Sequence, residues 1–405
     1  MSSVLQPKTT RTTKRNSPHN KDSPPQCRVF RSFECVNKTK TKAMGVEGKR
    51  CVVTGGSGFV GRRLVEMLVE RGASSVVSFD LRSPDASDSD MDYVKPEDKS
   101  KVEYVIGDLT NPDDIIKACV GADCVWHIAA LVGPFHAHGA YVKVNYEGSL
   151  NVIKACKVNS VPKLIASSSP STRFDGSDID GKSEDELSIQ EPGHFLEAYA
   201  ETKAMGEVAV REACCESLLT VAIAPHQVYG PRDALFLPNL LEACAQGKLR
   251  IFGTGNNNVS FTHVDNYCHG LIIAFDKLVE GSPILGKFYV VTDGGKCNFW
   301  DALDEASVEM GYGSLKKKFH LPYFLMMGIA YFLLSISSLT GVQFRITPFT
   351  VKMLTIHRWF NIQAAEKDLE YKPLITFEDG WKQTIQWFKE RRHWSKAKAT
   401  STMKK

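Results

Sequence analysis

No Cys-x-x-Cys pair occurs in this chain, although it carries eleven cysteines. They are scattered from Cys27 to Cys297, and Cys214 and Cys215 are adjacent. An odd count without regular spacing argues against a disulfide framework and against structural zinc. His136 and His138 resemble a metal pair, but no acidic or cysteine partner accompanies them in the sequence, so no metal is expected. Charge of one sign is not in excess either: 50 Lys and Arg face 46 Asp and Glu, a net charge of +4. Ten basic residues cluster between Lys8 and Lys42, against Asp22 and Glu34. That run reads as a solvated tail, and no nucleic-acid partner is expected. The N-terminal region has no apolar stretch of the kind a secretory signal needs. Internal repeats are absent. The folded part is therefore expected in a reducing compartment such as cytosol or stroma.

What is present is an ordinary globular composition, 43% hydrophobic and 24% charged over 405 residues. That length can bury one large core and a smaller lobe. Residues 1–46 are rich in Ser, Thr, Lys, Arg and Pro without apolar period, so they read as disordered or as a targeting segment. Met44 is an alternative start, and a plastid address stays open. Residues 47–320 carry alternating strand and helix patterns. Strands are expected at Arg50–Thr54, Ser75–Asp80, Val102–Ile106, Cys124–Ile128 and Lys163–Ala166. Helices are expected over Arg62–Arg71, Asp113–Val120 and Tyr146–Val158, with a surface loop over Ser83–Lys101. The alternation predicts an α/β fold, a Rossmann-type doubly wound parallel sheet. Beyond Ala224 the less regular pattern predicts a smaller substrate lobe, completed by residues 341–405 with a basic tail.

Thr54-Gly55-Gly56-Ser57-Gly58-Phe59-Val60-Gly61 follows the first strand and opens a helix. Glycines stand where backbone N–H groups must approach a doubly charged pyrophosphate, and the helix N-terminus adds partial positive charge. Gly55 suits the tight turn, Gly58 the approach of the phosphates and Gly61 the packing of helix on sheet. Ser57, Phe59 and Val60 complete the binding turn. Asp80 ends the second strand, nineteen residues beyond Gly61. Its carboxylate can accept both adenosine ribose hydroxyls and would repel a 2′-phosphate, which favours NAD. Arg62 and Arg82 leave NADP open. Asp108 either binds the adenine amino group or caps the following turn.

Tyr199-Ala-Glu-Thr-Lys203 places a phenol and an ammonium on one helix face. A tyrosine with a pKa near ~10 is a poor base at neutral pH, and a nearby lysine is expected to lower it. Lys203 can also hold the nicotinamide ribose. Ser167-Ser168-Ser169 follows the fifth strand and can supply a hydroxyl to orient a substrate oxygen. His127 and His263 are expected to pack or hydrogen-bond near the cofactor.

These motifs, in this order, resemble the extended short-chain dehydrogenases, over about residues 48–390. Gly107-Asp108-Leu109, His127-Ile-Ala129-Ala130, Val144-Asn145-Tyr-Glu-Gly148 and Val228-Tyr229-Gly230-Pro231-Arg232 match as well. Within that superfamily the chain is similar to the 3β-hydroxysteroid dehydrogenase branch. It is most similar to the members that oxidise and decarboxylate 4α-carboxysterols. Phe79-Asp80-Leu81 and Phe261-Thr-His-Val-Asp-Asn266 support that. The resemblance implies Tyr199 as acid and base, Lys203 as its partner and Ser169 as the third member, with Ser168 still open. It implies Leu109 and Ala129 beside the cofactor, Asn145 beneath the site, and Pro225 to Val228 along the nicotinamide pocket. It further implies a sterol or steroid substrate, a membrane-associated enzyme of the endoplasmic reticulum and a homodimer formed through two helices of each subunit. Pro170-Ser-Thr-Arg173 and Pro134-Phe-His-Ala-His138 depart from the family pattern beside the substrate pocket.

Residues 321–340 contain no charge, enough for about 30 Å of helix. Lys316, Lys317 and Lys318 precede the segment and Arg345 follows it. A membrane-associated helix is expected, either spanning or lying in one leaflet. Two rival functions share the motifs. One is a nucleotide-sugar epimerase or dehydratase that retains NAD and needs no membrane; the other is a non-enzymatic reader of NAD(P) state. A 3β-hydroxysteroid dehydrogenase acting on another lipid alcohol is the nearer alternative.

Overall fold

The computed structural model describes residues 45–83, 94–133, 136–342 and 344–391. The alternative start at Met44, the departing residues Pro134 and Phe135, and the basic C-terminal tail lie outside the described residues. The fold begins earlier than residue 47. Val46 is fully buried in the core, and the Gly45 N–H donates to Asp276 Oδ1 at 2.9 Å.

Seven parallel strands form the central sheet: β1 Arg50–Thr54, β2 Ser75–Asp80, β3 Val102–Ile106, β4 Cys124–His127, β5 Lys163–Ser167, β6 Leu219–Pro225 and β7 Phe288–Val291. Their spatial order is β7-β6-β5-β4-β1-β2-β3. The first strands read as continuous apolar runs because helices cover both faces; Cys51, Val52 and Val53 are fully buried. Leu64, Leu68 and Leu271 pack on one face, Leu109, Val152 and Val210 on the other. The order reverses between β1 and β4, where Thr54 lies beside His127. A crevice at such a reversal, outside the carboxyl ends of the strands, is where this architecture binds ligands.

The smaller lobe is not one continuous C-terminal piece. After Ala224 the chain returns to the central sheet with the helix Val264–Lys277 and with β7. The lobe in turn takes Ile179–Lys182 from before Ala224, paired in parallel with Arg358–Phe360. Its core holds Phe261, Phe299, Trp300, Trp381 and Phe388. Both buried indole N–H groups find carbonyls, Trp300 on Leu354 at 3.1 Å and Trp381 on Ala302 at 3.2 Å. Burying aromatics of this size with their polar tips satisfied is what stabilises the lobe.

The uncharged segment forms one helix, Tyr323–Thr340. Only Met326 and Ala330 on it are buried, and they join the lobe core. Phe324, Phe332 and Leu339 are 78%, 66% and 86% exposed. Both ends are tied to the lobe. The Leu321 N–H donates to Ile251 O at 2.8 Å and Gly253 N–H to Leu321 O at 2.8 Å, while the following helix Pro348–Met353 packs back on Tyr323–Thr340.

Candidate active site

The glycine turn works by close approach. Gly55 has φ +73°, and a Cβ on Gly61 would stand 2.0 Å from the Gly55 carbonyl oxygen. The helix Phe59–Glu70 therefore begins directly on the turn, three residues before its expected start. Gly58 caps it without a side-chain bond, so no side chain competes with an anion for the first-turn N–H groups. Arg232 holds the same helix from outside, with both guanidinium nitrogens 2.7 Å from the buried Glu66 carboxylate.

A cavity of about 500 Å³ lies over this turn at the β1/β4 reversal. Gly55, Gly58, Phe59, Val60, Gly61, Asp80, Asp108, Leu109, Ala129, Ser169, Tyr199, Lys203, Pro225 and Val228 all line it, as expected. Ser57 does not; its N–H is instead held by Asp80 Oδ2 at 3.1 Å. His226 and Gln227, between Pro225 and Val228, are also off the wall, and His226 Nδ1 faces Ser260 O at 2.7 Å. Asp108 makes the turn bond foreseen for it, its Oδ1 accepting the Thr110 N–H at 2.8 Å, and it also lies on the cavity wall. The cradle of small residues and the Asp80 carboxylate on the cavity wall fit a dinucleotide. When bound, that group would be held by the Gly55–Gly61 turn, Asp80 and Lys203.

Tyr199 and Lys203 lie on the helix Ala198–Glu212. Burial pushes the Tyr199 phenol up to about 12, and a hydrogen bond with Ser169 opposes that rise. Burial pulls Lys203 down to about 8. The expected lowering of Tyr199 by Lys203 does not prevail over burial. The reason is geometric: the Lys203 ammonium donates to the Ser167 carbonyl at 2.7 Å.

The three serines divide their tasks. Ser167 Oγ accepts from Tyr267 Oη at 2.7 Å. Ser168, 5% exposed, donates to Glu207 Oε2 at 2.6 Å. All three border the cavity; the Ser169 hydroxyl lies beside Ser171 Oγ at 2.8 Å and accepts the Ser171 N–H at 3.2 Å. Ser168 and Ser169 both stand on the cavity wall, and the Ser168 hydroxyl is the one committed to a buried carboxylate.

Asn145 supports the site through the Leu131 backbone, accepting its N–H at 2.7 Å and donating to its carbonyl at 3.1 Å. His127 is buried and pulled down to about 3, between Thr54 Oγ1 at 2.8 Å and Ser149 Oγ at 3.0 Å. His263 caps the helix Val264–Lys277. Both histidines pack, as expected. His138 does meet a carboxylate, Glu201 Oε2 at 3.1 Å, which the sequence order hid.

Two features were missed. The first is a buried ion pair: Arg173 grips Glu207 at 2.6 and 2.9 Å. This explains the departing Pro170–Arg173 segment, and the signal was the i, i+4 stripe Tyr199, Lys203, Glu207, Arg211. The second is an apolar cavity of about 480 Å³, lined by Phe174, Leu196, Leu333, Phe349 and Met353 among others, which meets the first cavity at Tyr199. Its walls come from four separate parts of the chain, so no local pattern announces it.

A mouse sterol-4-alpha-carboxylate 3-dehydrogenase, decarboxylating, is 33% identical over 84% of this chain and 91% of its own. The human enzyme of the same name is 34% identical over 88% and 93%. An Arabidopsis thaliana 3beta-hydroxysteroid-dehydrogenase/decarboxylase isoform 1 is 33% identical over 84% and 79%. Among solved structures, a UDP-glucuronic acid 4-epimerase from Bacillus cereus in complex with NAD shares the fold with a TM-score of 0.64, 23% identity and coverage of 84% and 99%. The model of the 3-beta hydroxysteroid dehydrogenase/isomerase family matches residues 52–322, and the chain belongs to that family.

Proposed function

We propose that the protein oxidises the 3β-hydroxyl of a 4α-carboxysterol with NAD and releases CO2, leaving a 3-ketone. The observation that carries this is the meeting of an apolar cavity with the dinucleotide cavity at Tyr199. A cavity of about 480 Å³ is in the size range of small-molecule sites. When bound, NAD supplies the hydride acceptor. Ser169 orients the substrate hydroxyl and Tyr199 takes its proton. Lys203, held on Ser167 O, places positive charge beneath that proton transfer. The names of the curated relatives support this substrate class. The epimerase alternative fits the cofactor side; the second cavity is mostly Phe, Leu, Ile and Met, with Arg345 and Glu197 its charged residues, which suits a largely apolar substrate. Purified protein incubated with NAD and a 4α-carboxysterol tests the reading by following NADH and CO2 together. NADH without CO2 would indicate a plain hydroxysteroid dehydrogenase, and conversion of a UDP-sugar instead would indicate the epimerase.

Asp80 is assigned to the adenosine ribose, favouring NAD over NADP. Asp80→Ala is expected to cut the NAD-over-NADP preference in kcat/KM by about 10–100-fold, the worth of a charge-assisted hydrogen bond. An unaltered preference would remove Asp80 from that role.

The helix Tyr323–Thr340 is assigned to one leaflet of a membrane, on the cytosolic face of the endoplasmic reticulum. Both its ends return to the same lobe, so it lies along the surface rather than crossing. The nine described cysteines are free thiols, which suits that reducing side. Replacing exposed Phe324 and Phe332 by Asp is expected to release the protein from phospholipid vesicles in a sedimentation assay. Sedimentation equal to wild type would refute the contact. A homodimer is assigned to the helices Gly148–Val158 and Ala198–Glu212, where Leu150, Val158 and Met205 are exposed.

A further inference from the structure

We infer that Arg345 receives the carboxylate of the substrate and so selects carboxylated over neutral 3β-hydroxysteroids. The inference rests on the proposed carboxysterol reading. Arg345 lines the same apolar cavity as Tyr199. Among the described residues its guanidinium forms no ion pair and no hydrogen bond; only its backbone carbonyl is engaged, by Thr350 Oγ1 at 3.2 Å. The segment that carries it is nevertheless pinned. Gly341, at φ 72°, ends the apolar helix in the left-handed region and turns the chain toward Arg345. Two residues later Thr347 caps the helix Pro348–Met353 through the Thr350 N–H at 3.1 Å.

Arg345 and Glu197 supply the formal charges on this wall, and they make no ion pair with each other. Burial alone raises the Glu197 carboxyl, with no cation compensating it. The cavity therefore presents one guanidinium without an ion-pair partner on a wall made mostly of Phe, Leu, Ile and Met, with Glu197 and a few hydroxyl side chains. Arg345 is exposed at the cavity wall, and an arginine fork matches the two oxygens of a carboxylate. A sterol acid has that composition: a large apolar body and one anionic group beside the reacting hydroxyl.

The assignment also gives the decarboxylation a place. Once C3 is a ketone, the C4–carboxyl bond breaks and its electron pair flows to form C3=C4, with the negative charge on the C3 oxygen. Tyr199 returns to that oxygen the proton it took from the hydroxyl, giving the enol, and CO2 leaves. The departing group has lost its charge, so its hold on Arg345 is lost as well.

The test uses full-length Arg345→Leu and Arg345→Lys. Steady-state kinetics on a 4α-carboxysterol are compared with those on the matching 4α-methyl sterol, and binding of the carboxysterol is measured without NAD. For Arg345→Leu, KM and Kd for the acid are expected to rise about 10–100-fold. The neutral sterol should change far less, and Arg345→Lys should recover part of the loss. Equal losses on both sterols, or no loss on the acid, would overturn the assignment. So would weaker binding to anionic vesicles with discrimination intact, which would give Arg345 to lipid headgroups. A wild-type protein that fails to prefer the acid would sink the carboxysterol reading and this inference with it. A wild type that prefers the acid beside an Arg345→Leu variant that still does would sink only the role of Arg345.

Discussion

Tyr199→Phe is expected to lower turnover by roughly 10²–10⁴-fold, the usual worth of a positioned acid or base, while leaving NAD affinity nearly unchanged. Tyr199 lines both cavities, so in the proposed reaction its phenol would stand between substrate and cofactor. Removing one oxygen leaves the ring in place. That ring packs edge-on against Tyr141, centroids 6.3 Å apart, so the fold should barely respond. The pH dependence has a definite sign. Burial holds the phenol near 12, so at neutral pH it is protonated and only a small fraction is the base that oxidation needs. The kcat/KM for oxidation should therefore climb with pH through the neutral and mildly alkaline range. Burial brings Lys203 down to about 8, and the climb should flatten there as the supporting ammonium disappears. In Tyr199→Phe the residual rate should show no such climb. Wild-type turnover in that variant, measured by NADH formation, would refute the mechanism.

The parts of this site that could be read from sequence share a property: each is encoded within one short segment. The glycine turn, Asp80 at the end of β2 and the pair on Ala198–Glu212 owe their geometry to a single strand, turn or helix. Strand β3 falls where its five apolar-rich residues predict it. The lobe was harder, because Ile179–Lys182 meets Arg358–Phe360 from nearly half the chain away, and four-residue strands carry little periodicity. The apolar cavity was invisible for the same reason. The uncharged stretch announced an apolar helix, but not that Leu333, Leu334 and Ser337 on its inner face would close the space beside Tyr199. Ser168 and Ser169 are adjacent and chemically identical, and only the placement of Glu207 shows which of the two hydroxyls is committed to a buried carboxylate.

That carboxylate carries the largest expected effect on stability. Glu207 is fully buried and accepts from Arg173, Ser168 and Arg211. Arg173 in turn stacks its guanidinium over the Phe288 ring, 3.4 Å from the centroid. Removing the carboxylate leaves a buried guanidinium without its partner, an effect of about 3–5 kcal/mol. Glu207→Ala should therefore lower the thermal midpoint by roughly 5–15 °C. The double variant Arg173→Leu with Glu207→Leu should recover much of that, because replacing both charges by apolar groups removes the unpaired ion. Acid should reproduce the single variant. Burial pushes the Glu207 carboxyl up, but Arg173 and Ser168 outweigh it, so its folded pKa lies below the ordinary value. A depressed carboxylate contributes stability that is fully present above its unfolded pKa of about 4.3 and is lost as pH falls through the folded value. Wild type should thus lose thermal stability below that point more steeply than the double variant. The catalytic side follows from the same bonds. Glu207 sits one helical turn beyond Lys203 and fixes Ser168 at the end of β5, so Arg173, Glu207 and Ser168 hold the base of the strand that presents Ser169. A calorimetric midpoint for Glu207→Ala equal to wild type would show that the pair contributes no net stability.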